Sequence, residues 1–275
     1  AVTLTANPNF ENKSSYSFDV IATDNGTLTD TQAVTLAIND VNDAPVITSD
    51  ATATAINENS GAGQVVYTVT STDEDAGATV SYSLSGADAD LFTIDSTTGA
   101  VTLTANPNFE NKSSYSFDVI ATDNGTLTDT QAVTLAINNV NEVPVITSAA
   151  TATAIDENSG AGQVVYTVTS TDVDASATVT YSLSGTDASL FTIDSTSGEV
   201  TLIANPNFEN KSSYSFNVIA TDNGTLTDTQ AVTLSINDVN EAPVITSSAT
   251  VAIDENIGAG QVVYTVTSTD VDASA

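Results

Sequence analysis

Apolar and polar residues alternate along several segments of this chain, which is the pattern of a β-strand with one buried face. Between 115 and 122, Tyr, Phe, Val and Ala alternate with Ser, Asp, Ile and Thr, and between 133 and 138, Val, Leu and Ile alternate with Thr, Ala and Asn. Asp123-Asn124-Gly125 lies between the two segments. Asn-Gly favours a type I′ turn because it tolerates positive φ angles. The two segments are therefore predicted to form a β-hairpin.

Other short segments rich in Val and Thr predict the rest of the fold. Further strands are expected near 45–48, 54–57, 64–70, 80–85, 91–94 and 100–104, with turns at Gly61–Gly63, Ser85–Ala87 and Thr98-Gly99. No stretch carries a helical stripe of apolar residues. About seven short strands separated by turns are typical of a two-sheet, Greek-key β-sandwich of the immunoglobulin type. The fold class is predicted to be all-β.

The sequence repeats itself at a spacing of 99 residues, since Pro45-Val46-Ile47-Thr48 recurs at Pro144 and at Pro243. Solenoid units are shorter than this, and about 100 residues is the size of a domain that folds alone. The predicted organisation is the C-terminal part of a repeat at 1–44, complete repeats at 45–143 and 144–242, and the N-terminal part of a further repeat at 243–275. The fold is thus a tandem array of seven-stranded sandwiches.

The partial repeats leave an alternative open. Half a sandwich has open edges and half a core, so 1–44 is not expected to fold stably by itself. Head-to-tail complementation between molecules would produce a self-assembling fibre subunit. However, 1–44 matches 100–143 and 243–275 matches 144–176, so the counterparts of 177–198 would be missing. A window cut from a longer protein is the favoured interpretation.

The charge of the chain restricts its partners. It has 35 acidic residues, three Lys, no Arg and no His, for a net charge of −32. Such a charge repels nucleic acid and anionic membranes, and no apolar run is long enough to insert in a membrane. Without Cys there are no disulfides, so extracellular domains of this kind need another stabiliser. An enzyme is not expected, because His and Cys are absent and a carboxylate pair such as Asp172 and Asp174 suits metal binding better.

The carboxylates gather at the ends of the repeats. One such segment, 40–43, lies just before Pro45, and the first complete repeat carries the others, at 57–59, 72–75, 109–111 and 121–123. Acidic and amide oxygens that converge at a domain junction suit a hard cation, and the loose geometry of calcium fits better than the octahedron of magnesium. Zinc and copper fit poorly without His or Cys. Each cluster alone could be a set of solvated turn residues, but together they favour calcium.

These residues resemble the cadherin repeat. Each repeat has Glu-Asn near its start, Asp-x-Asp after an early strand, Phe-Glu before a Tyr-containing strand and Ala-x-Asp-x-Gly before the last strand. The repeat 144–242 ends in Asp-Val-Asn-Glu-Ala, followed by Pro243, and the repeats are near-identical copies of one another. In both respects the chain is most similar to the bacterial cadherin-like repeats of giant secreted adhesins. The resemblance covers the whole chain and carries five motifs in order.

The resemblance implies calcium bound between successive repeats, with ligands from both. At the middle junction these are Glu58, Glu110, Asn139, Asn141, Glu142, Asp172, Asp174 and Asp222. At the first junction they are Glu11, Asp40, Asn42, Asp43, Asp73, Asp75 and Asp123. At the last junction they are Glu157, Glu209, Asp238, Asn240, Glu241, Asp270 and Asp272.

Three departures from the family pattern bear on these sites. The family's Leu-Asp-Arg-Glu is Asn-Phe-Glu here, so two ions per junction are favoured over three. The linker before each Pro is one residue short. Asn139 stands where the other junctions have Asp40 and Asp238, and the lost charge is expected to weaken the middle site.

The expected function is a calcium-rigidified stalk or filament segment of an extracellular bacterial adhesin at the cell surface. Its expected partners are calcium and the neighbouring repeats, with homophilic protein contacts or surface glycans beyond them. The rival function is a carbohydrate-binding module, which stacks sugars on exposed rings. The chain has no Trp, and its Tyr and Phe fall on inward faces except at Phe10, Phe109 and Phe208. Exposed aromatic pairs would favour the rival, and buried rings would disfavour it.

Overall fold

A computed structural model of the chain describes residues 1–272. Within that range the regular structure is β-strand apart from two single-turn 3-10 helices, so the predicted all-β class is confirmed. The chain divides into two compact units, Ala1–Val140 and Asn141–Ala275, and each is described by itself. No helix in the described part has the length and apolar character needed to cross a membrane.

The first unit contains strands β1 to β11 and one 3-10 helix. The strands are Ser15–Thr23 (β1), Thr29–Ala37 (β2), Val46–Ile47 (β3), Ile56–Asn57 (β4), Gln64–Thr68 (β5), Ser71–Thr72 (β6), Ser81–Ser85 (β7), Phe92–Ile94 (β8), Ala100–Leu103 (β9), Ser114–Thr122 (β10) and Thr128–Asn138 (β11), with the 3-10 helix at Ala89–Leu91. The predicted strand over 64–70 is wrong in one detail. It ends at Thr68 instead of 70, and the next strand, β6, begins at Ser71 and pairs with β3 instead of β9.

Two sheets enclose the core of this unit. One has the order β4-β11-β10-β7, with β4 parallel to β11, and the other has the order β5-β9-β8. The predicted hairpin is β10 with β11, where Phe117 lies opposite Val133. Phe117 is fully buried and contacts Tyr67 and Phe92 of the facing sheet, with ring centroids 6.2 Å and 4.6 Å apart. The alternating residues of β10 therefore build the sandwich core, as the sequence predicts.

The hairpin loop differs from the predicted type I′ turn. Neither Asn124 nor Gly125 has a positive φ, and the left-handed residue is Thr126, with φ of 75°. The loop covers five residues, since Thr122 pairs with Thr128. The Asp123 carboxylate accepts the Leu127 N–H at 2.8 Å. A side chain that bonds the loop backbone thus replaces the expected two-residue turn.

The second unit repeats this architecture. Its strands are Val145–Ile146 (β12), Ile155–Asp156 (β13), Gln163–Thr167 (β14), Ser170–Thr171 (β15), Thr180–Ser184 (β16), Phe191–Ile193 (β17), Glu199–Leu202 (β18), Ser213–Thr221 (β19), Thr227–Asn237 (β20), Val244–Ile245 (β21) and Ser268–Thr269 (β22), with a 3-10 helix at Ala188–Leu190. The sheets have the orders β13-β20-β19-β16 and β14-β18-β17. Phe216 takes the place of Phe117 and is likewise fully buried.

The partial repeats lack most of this core. Residues 1–44 form only the β1–β2 hairpin, and the β21–β22 pair is the regular structure between 243 and 272. Val20 is 42% exposed, whereas its counterpart Val119 is fully buried. The hairpin in 1–44 therefore leaves exposed a face that is buried in the later copy of the same sequence.

Candidate metal sites

Backbone hydrogen bonds hold one buried glutamate in place near the start of each complete repeat. Glu58 follows β4, is 2% exposed and accepts the N–H groups of Phe109 and Val140, each at 2.8 Å. Glu157 makes the same two contacts with Phe208 and Val239 at 2.8 and 2.9 Å. The N–H groups of Val239 and Phe208 hold the pKa of Glu157 below its usual range, so this carboxylate is ionised at neutral pH.

Carboxylates meet at the first junction, within the first unit. One oxygen each of Glu11, Asp40 and Asp75 lie within 4.8 Å of one another, and so do oxygens of Glu11, Asp43 and Glu74. The Asp43 N–H donates to Asp75 Oδ2 at 2.8 Å. Residues from the end of one repeat and from the Asp-x-Asp segment of the next are thus brought together, as the sequence predicts.

Two further predicted residues complete this junction. The Asp75 N–H donates to Asp73 Oδ1 at 3.0 Å, which turns Asp73 Oδ2 into a buried position. On the other side, Asn42 Nδ2 donates to Asp123 Oδ2 at 2.7 Å. Asp123 is only 6% exposed, so the amide of the linker reaches a buried carboxylate in the hairpin loop.

The last junction, within the second unit, has a similar arrangement, with Glu157 in one of its carboxylate groups. Oxygens of Glu157, Glu209 and Glu241 lie within 4.8 Å of one another, and so do oxygens of Glu209, Asp238 and Asp272. The Glu241 N–H donates to Asp272 Oδ2 at 2.9 Å. Three further contacts complete the set, namely Asp272 N–H to Asp270 Oδ1 at 3.1 Å, Asn240 Nδ2 to the Glu241 carbonyl at 2.9 Å, and Asn158 Nδ2 to Glu241 Oε1.

The residues predicted for the middle junction are divided between the two units. Glu58, Glu110 and Asn139 belong to the first unit, where Glu110 and Asn139 are exposed. The second unit supplies Asn141, Glu142, Asp172, Asp174 and Asp222. There, Asn141 Nδ2 donates to Asp222 Oδ2 at 2.8 Å, Glu142 N–H to Asp174 Oδ2 at 2.9 Å and Asp174 N–H to Asp172 Oδ1 at 3.0 Å. These contacts match those of the first junction.

Several carboxylate oxygens are buried without a donor. Among the described residues, Asp73 Oδ2, Asp172 Oδ2, Glu241 Oε2 and Asp272 Oδ1 have no hydrogen-bond partner. A buried acceptor without a donor is costly. A hard cation satisfies such oxygens, and the donor set of carboxylate and amide oxygens fits calcium, which takes 6–8 oxygen ligands in flexible geometry. The residues present therefore fit the ion that the sequence predicts.

The pKa shifts at the last junction are also those expected of carboxylates crowded around a cation site. Burial raises the pKa of Asp238, and the charges of Asp272 and Glu157 raise it further. Burial and the charge of Glu157 likewise raise the pKa of Glu241. A hydrogen bond from its own N–H lowers the pKa of Glu209, but burial and the charges of Glu157 and Asp238 outweigh it and the net shift is upward.

Basic side chains do not offset this repulsion. In residues 1–272, the lysine ion pairs are Lys112 with Asp88 and Lys211 with Asp187, each at 3.1 Å, and neither involves a predicted ligand. Ionisation of the crowded carboxyls opposes folding, because a carboxyl with a raised pKa holds its proton longer in the folded state than in the unfolded one. Their contribution to stability therefore falls as pH rises through the raised pKa values, unless a cation is bound.

We expect Asp272→Asn to lower the pKa of Asp238 toward its ordinary value, because the substitution removes a neighbouring charge and keeps the side-chain shape. Carbon-13 NMR of the side-chain carboxyls, titrated without divalent cations, measures the shift. The control is Glu199→Ala, since the other repeat has Ala100 at that position. A pKa of Asp238 that stays raised in Asp272→Asn would contradict the charge coupling.

One residue of the carboxylate groups was not among the predicted ligands. Glu74 lies between Asp73 and Asp75 and joins Glu11 and Asp43. The other copies have Val173 and Val271 at this position, so the family motif gives no reason to select it. Glu74 could have been selected from the sequence because it is charged, whereas the other copies have an apolar residue at the same position.

The aromatic rings do not form a sugar-binding surface in the complete repeats. In the described part of these repeats every Tyr and Phe is buried or half-buried, and Phe109 and Phe208 pack against the cores. The exposed pair that a carbohydrate-binding module requires is therefore missing there.

Comparison with known proteins gives the family. The cadherin domain model matches residues 52–138 and 151–237, and the chain belongs to the cadherin domain family. Protocadherin Fat 4 of Homo sapiens is 33% identical over 275 residues, which cover 94% of this chain and 6% of that protein. Protein dachsous of Drosophila melanogaster is 32% identical over 243 residues, which cover 83% of this chain and 7% of that protein. The chain thus spans a small part of these relatives.

Solved structures agree. The crystal structure of mouse cadherin-23 domains EC22-24 has a TM-score of 0.62 and 27% identity, covering 85% of this chain and 78% of that chain. Extracellular cadherin domains 1-5 of protocadherin gamma B2 have a TM-score of 0.72 and 26% identity, covering 96% of this chain and 53% of that chain. The predicted tandem cadherin-like fold is therefore confirmed.

Proposed function

We propose that this chain is a calcium-binding segment of an extracellular adhesion protein, in which calcium at the repeat junctions stiffens the linkers. The observation that carries the proposal is the set of carboxylate groups at the first and last junctions. Within each group the oxygens lie within 4.8 Å of one another, and all the residues except Glu74 are ones that the cadherin motifs select. Buried oxygens without donors occur in the same segments.

The stiffening follows from charge and geometry. A cation placed among Glu11, Asp40 and Asp75 would neutralise carboxylates that otherwise repel one another. These residues come from both sides of Pro45, so one ion would join the end of a repeat to the start of the next. An ion held from both sides removes bending freedom from the linker. The family implies calcium as that ion, and the residues named here would hold it.

The relatives support the location and the class of activity. Protocadherin gamma B2 is described as having extracellular cadherin domains, and a structure of protocadherin gamma B7 EC3-6, 26% identical with a TM-score of 0.62, is described as a cis-dimer. We extend the extracellular location, contacts between copies and an adhesive rather than enzymatic role to this chain. The proposal that this segment is a stalk of a bacterial adhesin is supported by the sequence pattern alone, because the relatives named above are animal proteins.

Calorimetric titration of the full chain with calcium tests binding, and nitrogen-15 relaxation of the amides at 40–44 tests stiffening. We expect calcium to bind and to restrict these linker amides, with no change in the amides of β10 in the same sample. Magnesium at equal concentration is the ion control. A titration without binding would refute the calcium sites, whereas binding without a change in linker relaxation would refute the stiffening alone.

A further inference from the structure

The hairpin loop between β10 and β11 has its glycine where the turn does not need one. Gly125 lies outside the left-handed region, while the next residue, Thr126, has φ of 75°. A β-branched residue at positive φ is strained, and a glycine at that position would avoid the strain. If the glycine served the turn, it would be expected at 126. Another requirement therefore holds it at 125.

That requirement is space for the linker. A Cβ atom on Gly125 would lie 2.5 Å from Cγ of Asn42 and 2.7 Å from its Nδ2. Real Cβ contacts do not come this close, so any larger residue would displace the carboxamide. The carboxamide is fixed in this place, because Nδ2 donates to Asp123 Oδ2 at 2.7 Å and to the Asp43 carbonyl at 3.2 Å.

The second unit shows the same contact. A Cβ atom on Gly224 would lie 2.5 Å from Oδ1 and 2.6 Å from Cγ of Asn141. Thr225 follows with φ of 74°. In the first hairpin, by contrast, a Cβ atom on Gly26 would approach only the carboxylate of Asp24 in its own loop, at 3.2 Å. The close approach is thus a property of loops that receive a linker asparagine.

We propose that Gly125 and Gly224 are positioning residues of the repeat junctions: by lacking a side chain they form the seat for the linker carboxamides of Asn42 and Asn141. The seat holds each asparagine against the buried carboxylate of its loop, Asp123 or Asp222, and so fixes the linker end of the ligand set. Neither glycine is itself a ligand. This inference rests on the proposed function for its effect on calcium, and the seat itself is independent of the ion.

The test is a double-mutant cycle in the full chain, with Gly125→Ala, Asn42→Ala and the pair. We expect Gly125→Ala to weaken calcium binding at one set of sites by about tenfold, as for other residues that orient metal ligands. In the Asn42→Ala background the same glycine change should have no further effect, because the carboxamide that it would displace is gone. Calorimetric titration measures the affinities, and circular dichroism of each variant checks the fold.

Two matched variants distinguish an effect on the asparagine seat from an effect on the conformation of the hairpin loop. Gly26→Ala places the same change in the same loop without a linker asparagine and should leave calcium binding unchanged. Thr126→Gly relieves the left-handed residue and should stabilise the hairpin without altering calcium affinity. An equal effect of Gly125→Ala with and without Asn42, or no effect on calcium affinity, would overturn the seat. Absence of calcium binding by the unaltered chain would instead refute the proposed function, and the cycle would then be measured on thermal stability in chelator.

Discussion

Calcium is expected to raise the melting temperature of the full chain by more than about 10 °C over its value in chelator, and magnesium at the same concentration by much less. A cation that binds only the folded state adds about 2.7 kcal/mol per site at a hundred times its Kd. In a domain of about 100 residues, each kcal/mol moves the melting temperature by roughly 4–8 °C. Two ions at a junction would therefore exceed 10 °C. Differential scanning calorimetry in the three buffers measures the effect.

A pair of substitutions locates this effect in the acidic segments. Asp172→Ala with Asp174→Ala should remove much of the calcium-dependent rise, since both are predicted ligands. The control removes two charges outside these segments, Asp90→Ser with Asp118→Asn. It is matched because the other repeat carries Ser189 and Asn217 at these positions. Equal melting in calcium, magnesium and chelator would contradict the calcium sites, and the acidic segments would then be solvated turns.

Phe117→Ala is expected to destabilise the repeat 45–143 by about 3–5 kcal/mol, the cost of a large cavity in a packed core. Phe117 is fully buried and contacts rings of the facing sheet. A loss of this size is a large part of the total stability of a small domain. Urea unfolding in chelator, followed by tyrosine fluorescence, measures it without the contribution of calcium.

The same substitution in the partial repeat is the control. Phe18 occupies the position of Phe117 in the 1–44 segment, opposite Val34, but is only half-buried there. Phe18→Ala should therefore cost much less. A similar loss for both variants would mean that the stability measured does not come from the sandwich core.

Much of the fold could be predicted because alternation of apolar residues reports which face of a strand is buried. Phe117 and Val133 were placed in the core by that pattern alone, and both are fully buried. The pattern could not give the parallel pairing of β4 with β11, because β4 is two residues long and has no periodicity of its own. The turn type was wrong because Asn-Gly predicts a two-residue loop only where no side chain competes for the backbone donors, and Asp123 does compete here.

The candidate sites were predictable to the extent that the ligands recur as motifs. The family pattern selected the residues that converge at the first and last junctions. It missed Glu74, which joins Glu11 and Asp43 through its place in the fold rather than through a motif. The family pattern also did not predict the contact between the loop glycine and the linker asparagine, because a glycine in a sequence does not show which group occupies the space that a side chain would fill. Which atoms occupy the space becomes clear when the linker and the loop are placed together.

The parallel pairing near the start of each repeat has a mechanical consequence. In the first complete repeat, the segment 51–57 runs alongside β11, with Ala53 N–H to Thr134 O at 2.8 Å, Thr134 N–H to Ala51 O at 3.1 Å and Glu58 N–H to Asn138 O at 3.1 Å. Tension applied to both ends of the repeat would pull two parallel neighbours in opposite directions along their common axis. The hydrogen bonds between them would then be loaded at the same time, in shear, rather than breaking one after another. We expect the pairing between the segment 51–57 and β11 to provide the main resistance of the repeat to mechanical unfolding.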